Sequence, residues 1–142
     1  MTVNRWAACA AGLFIMGACS SDGGTNPPPP PPPPLSFALH VEPTFTANCA
    51  LGGCHVAPTP AGGLDLRQAQ AFGNLVNVVS SQVPHLSRVT PNDPDSSYLI
   101  IKLIGDAALV GGVADQMPPG GALRAGQIDT IRLWIDAGAP NN

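Results

Sequence analysis

Positive charge is scarce in this chain. Six Lys and Arg stand against nine Asp and Glu over 142 residues, a formal charge of −3. Nucleic acid as a partner is therefore not expected, because binding it takes a basic face. Aromatic residues are few, at 5%. No apolar run is long enough to stand as a permanent membrane helix; the longest, Trp6 to Ala18, is too short. No phosphate-binding glycine loop and no nucleophilic triad is visible, and no internal repeat. The aspartates are scattered and read as caps, turns or solvated faces.

Glycine and proline, by contrast, are abundant, 16 and 17 residues. Such a chain is loop-rich with a modest core, and small cores of this kind often rely on a disulfide, metal or cofactor. The length fits one small domain.

The N-terminus divides from the rest by composition. Arg5 and the apolar run to Ala18 read as a signal peptide over residues 1–18. Met16-Gly17-Ala18-Cys19 resembles the lipobox of bacterial lipoproteins, which implies lipidation of Cys19 and a membrane anchor through that lipid. Ser20 in place of Asp then implies the outer membrane. Residues 19–34 are a polar and polyproline linker. Its eight prolines, Pro27 to Pro34, extend about 25 Å as polyproline II. The folded domain is expected over residues 35–142.

Four helices are expected in that domain. The first runs from Pro43 to Asn48 and the second from Leu66 to Asn74. The third starts at an Asp93 cap with Pro94 in the first position and stops at Gly105. The fourth covers Gly126 to Ala137, with Ile128, Ile131 and Ile135 on one stripe and Leu133 and Trp134 beside it. Arg124 stands where Ser or Thr would cap this last helix, a defect worth about 1 kcal/mol. Phe45 is expected against the Ile131–Trp134–Ile135 region. Residues 111–121, rich in Gly and Pro, should be irregular, and so long a segment in a small domain is usually functional. The fold class is mostly α.

The chemistry concentrates at Cys49-Ala50-Leu51-Gly52-Gly53-Cys54-His55. Two cysteines followed directly by histidine is the pattern by which c-type haem attaches: the thiols form thioethers with the vinyl groups, and the imidazole sits under the iron. Here four residues separate the cysteines, where two are usual. Gly52 and Gly53 give the backbone freedom to carry the extra length. A Cys49–Cys54 disulfide in a haem-free domain is the other reading of the pair, and a zinc site a weaker one.

Phe45, Asn48, Cys49, Gly53, Cys54 and His55 are followed by Pro94, Ser97, Tyr98 and Leu99. Then come Met117, Pro118, Gly120 and Gly121, and finally Ile131, Trp134, Ile135, Gly138 and Ala139. In this order they resemble a class I cytochrome c, and more closely the cytochrome c-like domains of bacterial surface lipoproteins. The resemblance spans residues 41 to 139. It implies a small helical fold with covalent haem c on Cys49 and Cys54, and His55 and Met117 as axial iron ligands. His40 and His85 are the competing candidates for the sixth position. His/Met ligation leaves iron no open position, which implies electron transfer rather than enzymatic turnover. The expected protein is a monomeric electron carrier at the cell envelope, with a redox protein of unknown identity as partner. The rival expectation is a haem-free scaffold or adhesion domain stapled by the disulfide.

Overall fold

The structure, a computed structural model, describes residue 33 and residues 35–142. The signal peptide, Cys19 and almost all of the linker lie outside the described residues. The described part is mostly helical, and its only β pairings are isolated bridges such as Val76 with Val89 and Val79 with Ser87. Among the described residues no helix is long and apolar enough to cross a membrane.

Four α-helices form: α1 (Glu42–Asn48), α2 (Ala71–Leu75), α3 (Tyr98–Ile104) and α4 (Ala125–Asp136). A π-helical turn, Phe37–Val41, leads into α1. Ser36 caps it, its hydroxyl accepting from the Leu39 N–H at 3.2 Å. The sequence carries no periodicity that announces this turn, yet it supplies a core aromatic.

The core is built on α4. Ile131, Trp134 and Ile135 are fully buried, as the three- and four-residue spacing requires, while Leu133 is 58% exposed and takes no part. Phe45 belongs to the same buried cluster. Phe37 stacks between the two, its ring centroid 6.4 Å from Phe45 and 5.1 Å from Trp134. Phe45 and the α4 stripe thus share one buried cluster, to which the π turn adds a further ring. Trp134 also donates its indole N–H to the Pro140 carbonyl at 2.9 Å, so its one polar atom is satisfied inside the core. At the head of α4 the Gln127 side chain accepts from the Arg124 N–H at 3.1 Å. That is half of a capping box; a guanidinium has no acceptor for the other half.

Two expected helices are shorter than the sequence suggests. In the second, Ala69 adopts φ 64°, and its N–H turns to the buried carboxylate of Glu42 at 3.0 Å. Arg67 folds back onto Asp65, which also accepts from the Arg67 N–H at 3.0 Å. Helix starts only at Ala71. In the third, Asp93 caps a turn instead of a helix, accepting from the Ser96 N–H at 3.0 Å. The Ser97 hydroxyl accepts from the Thr90 N–H at 2.9 Å and donates to the Asp93 carbonyl at 2.7 Å. These bonds close residues 90–97 into a turn, and α3 starts at Tyr98. Asp95, expected to favour a helix N-terminus, pairs with Arg132 of α4 on the surface. Gly105 ends α3 as expected, at φ 92°.

Candidate functional site

Each expected ligand or attachment residue of the domain is held by local backbone bonding. α1 ends where the N–H groups of Cys49 and Ala50 both donate to the Phe45 carbonyl at 2.8 Å. The Cys54 N–H donates to the Leu51 carbonyl at 2.9 Å, and the His55 N–H returns to the Cys49 carbonyl at 3.2 Å. The loop thus closes on itself, and the extra length bulges outward through exposed Leu51, Gly52 and Gly53. Gly53 carries the left-handed conformation, φ 80°; Gly52 does not.

His55 is fixed from both ends. Its carbonyl accepts from the Leu66 N–H at 2.8 Å, and its ring Nδ1 lies 3.1 Å from the Leu64 carbonyl oxygen. A carbonyl only accepts, so Nδ1 carries the hydrogen and the neutral ring keeps its lone pair on Nε2. This is the arrangement by which proteins orient a metal-binding histidine.

Met117 comes from the irregular 111–121 segment, which is tied to α3 by three bonds. The Met117 N–H donates to the Lys102 carbonyl at 3.2 Å. The Gln116 amide donates to the Leu103 carbonyl at 2.7 Å, and the Lys102 ammonium to the Val113 carbonyl at 2.7 Å. Met117 is half-buried and packs in part against the main core.

Cys49, Cys54, His55 and Met117 line one cleft of about 250 Å³. Its walls are largely apolar, with Leu64, Leu66, Leu99 and Leu103 among them. α3 contributes Tyr98, Leu99, Lys102 and Leu103, a single helical face at one- and four-residue spacing. His40 and His85 are both exposed and neither lines the cleft. His40 instead receives the Ser36 N–H on its Nδ1 at 3.0 Å. Of the three histidines, only His55 is placed for a ligand in the cleft. Among the described residues no group of three His, Cys, Asp or Glu gathers as a site for a bare ion.

The two thiols are free and chemically unequal. Burial, and then the neighbouring Cys54, push the Cys49 thiol up to about 11. Cys54 is half-buried. In the haem-free chain at pH 8, Cys49 is expected to alkylate much more slowly than Cys54, because it is the more buried of the two. A raised value means the unreactive protonated form persists, so the Cys49 rate should keep rising about tenfold per pH unit until pH approaches 11. Peptide mapping after timed iodoacetamide treatment reads both rates. Equal labelling of the two cysteines would refute the burial of Cys49.

The cleft also has polar lining, a feature that sequence reasoning missed. Arg88 donates to the carbonyls of Asn74 at 2.8 Å and Gly62 at 3.0 Å. Among the described residues it has no carboxylate partner, and burial holds its guanidinium below the usual arginine range. The Tyr98 hydroxyl donates to the Gln82 side chain at 2.6 Å. Nothing around Arg88 in the sequence marks it out. Lys102 did carry a signal, as the only charge inside the apolar run Leu99–Ile104.

Tyr98 in turn explains Gly112. A Cβ at Gly112 would overlap the Tyr98 hydroxyl and stand 3.0 Å from the Ala107 carbonyl oxygen. Gly112→Ala is expected to destabilise the domain by about 1–3 kcal/mol through this overpacking, read as a fall in the denaturant midpoint. An unchanged midpoint would mean that the ring does not rest on this glycine.

Comparison with known protein families, characterised proteins and solved structures finds no match to this chain.

Proposed function

We propose that this chain is a c-type cytochrome, an electron-transfer protein in which Cys49 and Cys54 hold haem covalently and His55 and Met117 are the axial ligands. One observation carries the reading. The Nδ1 of His55 is engaged by the Leu64 carbonyl, which leaves Nε2 free on a residue lining the same cleft as Met117 and both thiols. A porphyrin brings its own equatorial nitrogens and asks the protein only for axial donors; an imidazole and a thioether meet that need.

The rest of the cleft fits the same group. Leucines on three segments suit the macrocycle. Arg88, without an acidic partner among the described residues, suits the carboxylates at its edge. The volume of about 250 Å³ lies a little below the roughly 300–1,000 Å³ of ordinary ligand pockets.

When bound, haem iron supplies one-electron exchange between ferric and ferrous states. The chain's own residues set its terms. His55 and Met117 would be the two protein groups that hold the iron, a pair that would favour outer-sphere electron transfer over oxygen chemistry, and the thioether would favour the ferrous state. The domain is not itself an enzyme in this reading. It works at the cell envelope, tethered through lipid on Cys19, and exchanges electrons with a partner protein.

The experiment is an optical redox titration of the full chain matured in a host that attaches c-type haem. A single reversible one-electron wave is expected, and the Cys49→Ser/Cys54→Ser variant should lose its haem to acid-solvent extraction. A matured wild-type chain without a haem spectrum would overturn the proposal.

A further inference from the structure

Lys102 is an anomaly in the packing. It sits in the middle of α3 and is only 8% exposed. Among the described residues no carboxylate pairs with it. A lysine this buried without a carboxylate partner is uncommon, and an apolar residue in its place would suit the helix face better. Its bonds give the reason for it. The ammonium reaches the Val113 carbonyl at 2.7 Å, and the Lys102 backbone carbonyl receives the Met117 N–H at 3.2 Å. One residue therefore grips the loop both at Met117 and four residues before it.

The neighbours of Lys102 complete the hold. The Gln116 amide bonds the Leu103 carbonyl, and its side-chain carbons lie about 3.6 Å from where a Cβ would stand on Gly105. The segment has no helix or sheet to bond its backbone. Without these donors it would sample many conformations, and the Met117 thioether with it. A hydrogen bond from a charged donor is among the stronger ones available for this task.

We propose that Lys102 is the positioning residue for Met117. With Gln116 it clamps the loop against α3, so that the thioether stands at the cleft before any haem arrives. The inference rests on the reading of Met117 as an axial ligand, but its first test needs no haem.

That test is amide hydrogen exchange of the full, haem-free chain as wild type, Lys102→Met and Lys102→Arg. Lys102→Met keeps the length and removes the donor. The Met117 amide, which donates to the Lys102 carbonyl, should then exchange roughly tenfold or more faster. Lys102→Arg, which restores a cationic donor, should recover most of the protection. Unchanged exchange in Lys102→Met overturns the clamp. Should that variant not fold, Lys102→Gln, whose shorter neutral side chain gives up the Val113 carbonyl, makes the same test: faster exchange at residue 117 supports the clamp, and no change overturns it.

The haem-loaded chain gives a readout that a purely structural role would not move. In Lys102→Met the ferric iron–sulfur charge-transfer band should fall several-fold, with His55 ligation intact, and return in Lys102→Arg. A full band in Lys102→Met contradicts the positioning role. A chain that takes no haem at all instead defeats the functional reading, and the clamp then stands or falls on amide exchange alone.

Discussion

Met117→Ala, loaded with haem, is expected to titrate at a reduction potential lower by on the order of 100 mV or more. Axial ligands command a range of roughly 0.8 V, and loss of a thioether removes the donor that favours ferrous iron. The ferric iron–sulfur band should vanish in the same sample. His85→Ala is the matched control. His85 is exposed and does not line the cleft, so neither potential nor band should move. The optical titration of the two variants side by side decides the sixth ligand. A shift in His85→Ala with none in Met117→Ala would reverse the assignment.

Trp134→Ala should remove about 3–5 kcal/mol of stability, the cost of deleting a large buried aromatic. Trp134 has no exposed surface. Its ring stands 5.1 Å from Phe37 and 6.4 Å from Phe72, centroid to centroid, and the bond to Pro140 goes with it. Small domains hold only about 5–15 kcal/mol in total, so this change consumes much of the margin of the haem-free chain. Leu133→Ala, one residue away, should cost less than about 0.5 kcal/mol because that side chain already faces water. Urea denaturation of both variants measures the contrast. Comparable losses in the two would mean that α4 does not bury the face described.

The same contrast shows which parts of the fold are legible in sequence. α4 is readable because its isoleucines recur with the helical period, and because Gly138 and Pro140 close it. The C-terminus of α3 is readable because Gly105 is the residue that a left-handed cap prefers. The N-terminus of α3 is not, since Asp93-Pro94 suits the start of a turn as well as the start of a helix. Ser97 decides between them through bonds to Thr90 and Asp93 that no local pattern encodes. The early part of α2 fails at Ala69, an alanine in a positive-φ conformation imposed by the carboxylate of Glu42, 27 residues away. The Phe37–Val41 turn has no periodicity at all.

At the candidate site the four chemically marked residues of the domain do converge on one cleft. Residues whose chemistry depends on position are harder to read. Arg88 gains meaning only where the fold leaves it among carbonyls. Lys102 is the one charge within an apolar run, and its purpose becomes visible only once the Met117 loop is folded onto it.

Whether this chain is a cytochrome can be read from the intact mass of the full chain, matured where c-type haem is attached and measured under denaturing conditions. One haem carried covalently on the polypeptide is the expected result, lost when Cys49 and Cys54 are both replaced by serine. A haem-free mass lighter by two hydrogens, in cells that mature a control cytochrome with the two-residue spacing, would reveal a Cys49–Cys54 disulfide and contradict the cytochrome reading.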